Sequence, residues 1–241
     1  ASSEDGADAR GVIPAELCRG FWLMPVELEP GPGGAPRVLW FLHDTGASRT
    51  VVDPDSIERV SGRRLEPGRR VSLTDARSGA LTINRLSARV VELDHLSITL
   101  GRPIDGVMSV YALEDLLLVL DYPAGEMRVS EGRLPRPDGR TVFSTRGPDG
   151  RPWLQVDMAG RERPLLIDSG AGGLTIAVNH IDRFDLMGAP RVLTSAVRFD
   201  RIERRRIARL DGDAIVAGLR LENPVLEEVP RSELLGGEIL R

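Results

Sequence analysis

The chain of 241 residues has no lysine, a single cysteine, few aromatic residues and no long apolar run. Without lysine there is no Schiff-base chemistry and no Ser-Lys dyad, and all 32 basic residues are arginine. A lone Cys18 excludes an internal disulfide and a thiolate metal cluster. With no histidine near it in sequence, it reads as a small core residue and not as a nucleophile. His43, His95 and His180 lack any His-x-x-x-His spacing, so no zinc site is expected and no cofactor is called for. The longest apolar run, at Leu116–Leu120, falls far short of the ~20 residues of a membrane-spanning helix. A net charge of -4 with arginine spread evenly gives no reason to expect nucleic-acid binding. The Arg204-Arg205-Arg206 cluster, flanked by Asp200 and Glu203, reads as a solvated strand face. The opening stretch, Ala1 to Asp8, is small and acidic and reads as disordered. Its first residue is not Met, as would follow removal of a leader.

What is present is a repeated motif. Leu42-His43-Asp44-Thr45-Gly46-Ala47-Ser48 and Leu166-Ile167-Asp168-Ser169-Gly170-Ala171-Gly172 each place Asp, a small hydroxyl residue, Gly and Ala at the end of an apolar run. That is the pattern of a buried strand entering a tight turn. Two such turns facing each other set two carboxylates side by side. Like charges that close cannot both ionise cheaply, so the pair shares a proton, one member acting as base and the other as acid. This apparatus activates water and hydrolyses an amide without metal or covalent intermediate.

The chain around each motif follows the same order. Phe21 to Leu28 reads as a strand, with Pro25 pointing to an edge position. Pro30 to Pro36 reverses it into Arg37–Leu42, the strand that delivers Asp44. Asp53 followed by Pro54 predicts a capped helix. Val71 to Leu86 alternates as a hairpin with the polar stretch Thr74-Asp75-Ala76-Arg77-Ser78-Gly79 at its tip. Val107-Met108-Ser109 enters another buried strand, a short helical stretch is expected at Ala112 to Leu116, and Leu117 to Val129 forms a strand pair. Asp105 and Asp121 read as solvated or capping residues. A Pro/Gly-rich linker from Gly132 to Gly139 then separates two domains, 11–135 and 136–241. In the second, Pro152 to Met158 echoes the Trp22 strand, Asn179 to Met187 is a helix candidate, Val192 to Leu210 holds a second hairpin, and Ile215 to Leu221 is a strand. Leu234-Leu235-Gly236-Gly237 stands where Val107-Met108-Ser109 stood. The result is an internal duplication of about 120 residues. Its second copy lacks the final strand pair and is expected to be incomplete at its C-terminal end.

In these motifs the chain resembles the bilobal aspartic peptidases of the pepsin and retropepsin type, its first half being similar to bacterial retropepsin-like peptidases. The resemblance implies an all-β fold of two similar six-strand-type lobes with short helices and a catalytic cleft between them. It also implies a monomer, since the duplication supplies both halves. By position, Asp44 and Asp168 are the catalytic dyad, Thr45 and Ser169 the hydroxyls that cross-link the turns, and Gly46 and Gly170 the close-approach residues beneath the carboxylates. The resemblance assigns Thr74, Asp75, Ala76, Arg77, Ser78 and Gly79 to a substrate-covering flap. Three positions depart from the family pattern: Ser109 replaces a glycine, His43 replaces an apolar residue, and the flap stretch lacks a tyrosine or a glycine-rich tip. Ser109 is compatible with the loop only if its backbone lies in an ordinary region.

Two functions follow. One is an aspartic endopeptidase acting on extended peptide or protein segments, and the other a catalytically inactive relative that binds peptides or acts as a scaffold. Retention of both aspartates favours the first. Relatives of this type are often secreted or envelope proteins, which implies the same location here, with the cytoplasm as the alternative. Ala47 and Ala171 stand where acid-working members carry a hydroxyl that hydrogen-bonds the carboxylate, so activity is expected at mildly acidic to near-neutral pH.

Overall fold

Apolar residues recurring at every second position build most of this chain into strands. The computed structural model describes residues 11–30, 36–145, 147, 149–177, 180–197, 202–229 and 233–241. The Ala1 to Asp8 stretch and most of the Pro30 to Pro36 reversal lie outside them. Two compact units emerge: Asp44–Gly46 with Pro135–Leu240 form the second, and the rest of the chain the first.

The first unit contains β1 (Gly11–Ile13), β2 (Glu16–Cys18), β3 (Phe21–Leu28), β4 (Arg37–Asp44), β5 (Val51–Val52), helix α1 (Pro54–Ser61), β6 (Arg70–Ser78), β7 (Leu81–Val90), helix α2 (Asp94–Leu100), β8 (Gly106–Ser109), β9 (Leu117–Asp121) and β10 (Glu126–Ser130). Its main sheet has the order β2-β3-β4-β8-β5-β7-β6, and a smaller one the order β1-β10-β9. Trp22, Leu23, Met24, Leu39 and Phe41 are fully buried. The Trp22 indole meets Tyr122 edge-on, with ring centroids 5.3 Å apart.

The second unit contains β11 (Trp153–Met158), β12 (Arg161–Asp168), β13 (Leu174–Ala177), β14 (Arg191–Val197), β15 (Ile202–Arg209), β16 (Asp213–Val216), β17 (Leu219–Glu222), β18 (Val225–Val229), β19 (Leu234–Gly236) and the short helix α3 (Gly237–Leu240). These strands form one sheet, β14-β15-β18-β13-β19-β12-β11-β16-β17. Val156, Met158, Leu165, Ile176, Leu210 and Leu226 make its core. Among the described residues the chain is mostly strand, with a few short helices. No helix among the described residues is long and apolar enough to cross a membrane.

Where local chemistry is complete, structure follows sequence. Asp53 caps α1, its Oδ1 accepting from the Asp55 and Ser56 backbone, with Pro54 at the first helical position. Elsewhere tertiary partners decide the outcome. β3 is not an edge strand, because β2 pairs with it at Phe21–Leu23 and β6 touches it at Glu27. Pro25 falls in the gap between these partners, where a missing N–H costs nothing. The helix expected from Asn179 to Met187 shrinks to one 3₁₀ turn at Ile181–Arg183, and the one expected at Ala112 to Leu116 is a 3₁₀ turn at Val110–Leu113. Asn179 itself lies outside the described residues. The single strand expected over Ile215 to Leu221 is the hairpin β16–β17, turning at Ala217–Gly218, both with positive φ.

Two charge assignments also change. Arg206 sits opposite Glu228 across β15–β18 and pairs with it and with Asp182, while Arg205 pairs with Glu227. These arginines are therefore ion-paired and part-buried, not a free solvated face. Asp105 is buried and accepts from the Trp40 backbone at 2.7 Å, from Ser56 Oγ and from Arg59, tying β4 to α1. Three donors offset the cost of burying its charge.

Candidate active site

Each motif Asp is the last residue of its strand, Asp44 in β4 and Asp168 in β12. β12 runs parallel to β19 with Asp168 beside Gly236, so sheet pairing on the far side fixes where the strand stops. The turns Asp44–Gly46 and Asp168–Gly170 both belong to the second unit. They are laced reciprocally: the Thr45 amide donates to Ser169 Oγ at 3.1 Å, and the Ser169 amide donates to Thr45 Oγ1 at 3.0 Å. Thr45 Oγ1 in turn donates to the Ile167 carbonyl at 2.7 Å. Thr45 and Ser169 are buried, where an unmade hydrogen bond costs about 1–3 kcal/mol. Small hydroxyl residues are needed here because only they both accept from a backbone amide and donate onward within a tight turn.

Lacing brings the carboxylates together. The Gly46 amide donates to Asp44 Oδ1 and the Gly170 amide to Asp168 Oδ1, each at 2.8 Å. A Cβ on Gly46 would lie 2.4 Å from Asp168 Cγ, and one on Gly170 would lie 2.5 Å from Asp44 Cγ. Only glycine permits this approach. Gly46 thus touches both acids, which holds the carboxylates within about 8 Å of each other. Asp168 is buried and Asp44 half-buried. Two acids held this close can act together, one as base and the other as acid.

The six residues Thr74 to Gly79 lie elsewhere. Thr74–Ser78 is the end of strand β6, with Ala76 and Ser78 fully buried, and the turn follows at Gly79–Ala80. The Ala80 amide bonds the Val12 carbonyl, and a Cβ on Gly79 would lie 2.6 Å from that oxygen and from Pro14 Cδ. Arg77 and Val38 both pair with Glu27, so the turn stands at the opposite end of β4 from Asp44. Six residues of strand, about 20 Å, separate Val38 from Asp44. The flap assignment of these residues is therefore corrected: the hairpin is framework, held down on β1.

Ser109 has φ -72° and ψ 151°, an ordinary extended conformation, and its hydroxyl donates to the Ala47 carbonyl at 2.7 Å. His43 is fully buried in β4, and burial pushes its imidazole down to about 4. His180 bonds Glu233 at 2.8 Å, and His95 lies in α2. The residue that sequence reasoning missed is Arg151, whose guanidinium donates to the Gly46 carbonyl at 2.6 Å. Nothing in its Pro/Gly-rich surroundings signals that contact, since Gly46 is 105 residues away.

No protein-family model matches this chain, and no curated protein matches it in sequence. Among solved structures it is similar to the crystal structure of a retropepsin-like aspartic protease from Rickettsia conorii, with a TM-score of 0.36 and 13% identity. The alignment covers 54% of this chain and 98% of that one. The likeness concerns fold and not activity.

Proposed function

We propose that this protein is an aspartic-type endopeptidase that hydrolyses peptide bonds with a water activated between Asp44 and Asp168. The supporting observation is the mirrored pair of turns, in which each glycine abuts the opposite carboxylate and each hydroxyl residue binds the opposite backbone. A water held by both acids loses its proton to the ionised member as its oxygen attacks the scissile carbonyl. The protonated member gives its proton to the carbonyl oxygen, forming a gem-diol. Collapse breaks the C–N bond: the proton taken up by the base passes to the leaving amine, and one gem-diol hydroxyl returns a proton to the acid that gave it, leaving a carboxyl product and the starting pair. Thr45, Gly46, Ser169 and Gly170 hold geometry and take no proton. The substrate is a peptide or protein segment in extended form, which presents its backbone for strand-like pairing. The duplication makes the working unit a monomer, and the location we propose is the cell envelope or exterior.

Asp44→Asn and Asp168→Asn test this directly. Each is expected to lower cleavage of an unstructured protein such as casein by roughly a thousandfold or more while the fold persists, because the pair acts as a unit. The parent's rate should follow a bell in pH with its maximum between mild acidity and neutrality. Cleavage by both variants at the parent's rate would place catalysis elsewhere. Peptide binding without cleavage at any pH would leave a binding module.

A further inference from the structure

Arg151 stands between the two Asp turns. On its C-terminal side, the Pro152 carbonyl accepts from the Ile167 amide at 2.8 Å, and Trp153 pairs with Leu166 in β12. The backbone at Arg151 is thus fastened to the strand end that delivers Asp168. Its side chain reaches the other turn and donates to the Gly46 carbonyl at 2.6 Å. Asp149 locks that side chain: Arg151 Nε donates to Asp149 Oδ2 at 2.7 Å, and the second guanidinium nitrogen lies 2.5 Å from the same oxygen. Asp149 is itself held by the Arg151 amide at 3.2 Å and by the Trp153 indole N–H at 3.0 Å. A planar guanidinium with fixed donors suits such a bridge; a lysine ammonium would have to span it as a single point. Leu23 pairs with Leu42 as Trp153 pairs with Leu166, so Phe21 is the first-half counterpart of Arg151, and it has no side-chain donor.

We propose that Arg151 is a positioning residue for the dyad: its guanidinium fixes Gly46, and through it the gap between the Asp44 and Asp168 carboxylates. Gly46 is the lever because its amide binds Asp44 and its Cα side presses on Asp168. The same guanidinium sets a positive charge beside a pair that must hold a negative one. This inference rests on the aspartic-peptidase reading, and its test keeps the two apart.

Parent, Asp168→Asn, Arg151→Met, Arg151→Lys and Asp149→Asn proteins are compared by steady-state cleavage across pH, by thermal unfolding, and by carboxyl 13C shifts that follow titration of the two aspartates. Arg151→Met should lose kcat by about tenfold to a hundredfold with little change in KM, since a displaced reacting group costs rate and not binding. Its acid limb should move to higher pH, and the 13C titration of the pair should move the same way. Arg151→Lys keeps the charge and should recover the acid limb with part of kcat. Asp149→Asn should fall between parent and Arg151→Met. Unchanged kcat and titration in folded Arg151→Met overturn the proposal, as does a loss confined to KM. Should Arg151→Met fail to fold, a parental kcat and titration in both Arg151→Lys and Asp149→Asn overturn it equally. Cleavage unaffected by Asp168→Asn would instead remove the peptidase reading, while the 13C titration still decides whether Arg151 sets the pair.

Discussion

The two units use the same strand plan with one insertion and one exchange of partners. In the first, β6 meets β3, β7 runs parallel to β5, and β8 runs antiparallel to β5. In the second, β16 meets β11, β18 runs parallel to β13, and β19 runs antiparallel to β13. The hairpin β6–β7 therefore corresponds to β16–β17 with β18, and β14–β15 is additional to the second unit. In the first unit only residues 62–69 link α1 to β6. The exchange lies at the segment after each Asp turn. In the second unit backbone donors hold it: the Gly236 amide bonds the Gly173 carbonyl at 2.9 Å, and the Gly237 amide bonds the Ala171 carbonyl at 2.8 Å. In the first unit side-chain hydroxyls do this, Thr50 Oγ1 accepting from the Ser109 amide at 3.2 Å and Ser109 Oγ donating to the Ala47 carbonyl. A serine at Gly236 has no such room, since a Cβ there would lie 2.5 Å from the Gly172 oxygen. Duplicated halves keep the topology that places their Asp turns and vary the means of tying those turns down.

The sharpest test of equivalence is at the glycines of the turns. Gly46→Ala and Gly170→Ala each drive a methyl into the opposite carboxylate. Both should lose roughly a hundredfold or more in cleavage rate, because the acids are pushed apart by a large fraction of an ångström. Matched losses in the two variants would confirm that the turns act as mirror images. A rate near the parent's in either would break that symmetry.

A second difference lies one residue before each Asp, where the first half has His43 and the second Ile167. His43 is fully buried, with its imidazole lowered by burial to about 4 from an ordinary 6.5. Between those pH values the unfolded chain binds a proton that the folded chain does not. The His43 contribution to stability is therefore complete above about 6.5 and is lost as pH falls to about 4, on the order of 3 kcal/mol in all. His43→Leu, which copies the second half's apolar choice, should flatten the fall in thermal midpoint over that window. An unchanged slope would assign the acid sensitivity to other groups.

Much of this arrangement was legible in the sequence because its determinants are local. The apolar strands ending in Asp, the glycine two residues on, and the Asp53-Pro54 cap all lie within a few residues of one another. What escaped depends on partners far along the chain. α2 is not announced, because its N-cap is Leu93 and no side chain caps it. Asp105 stands in a turn context by sequence, and the groups that bind it, Ser56 and Arg59, lie 49 and 46 residues away. Alternation at 70–90 marks a hairpin without saying which end of the sheet its turn occupies, so the sequence alone does not separate a cover for the Asp pair from framework. Its pairing with β3 settles that point.

The smallest expected effect concerns Ser109. If its hydroxyl does for Ala47 what the Gly237 amide does for Ala171, Ser109→Ala removes one buried hydrogen bond and a contact to the Tyr111 amide at 3.3 Å. A neutral bond of this kind is worth about 1 kcal/mol net, and in a domain of this size that corresponds to a fall of about 2–4 °C in Tm. Ser109→Gly should cost at least as much, because it removes the hydroxyl and adds backbone freedom without restoring the second unit's geometry, in which the amide one residue later is the donor. The change in cleavage rate should remain modest, since Thr50 still accepts from the residue 109 amide and the Thr45–Ser169 lacing is untouched. A glycine variant more stable than the parent would show that the serine is a poor substitute for the glycine of the other half.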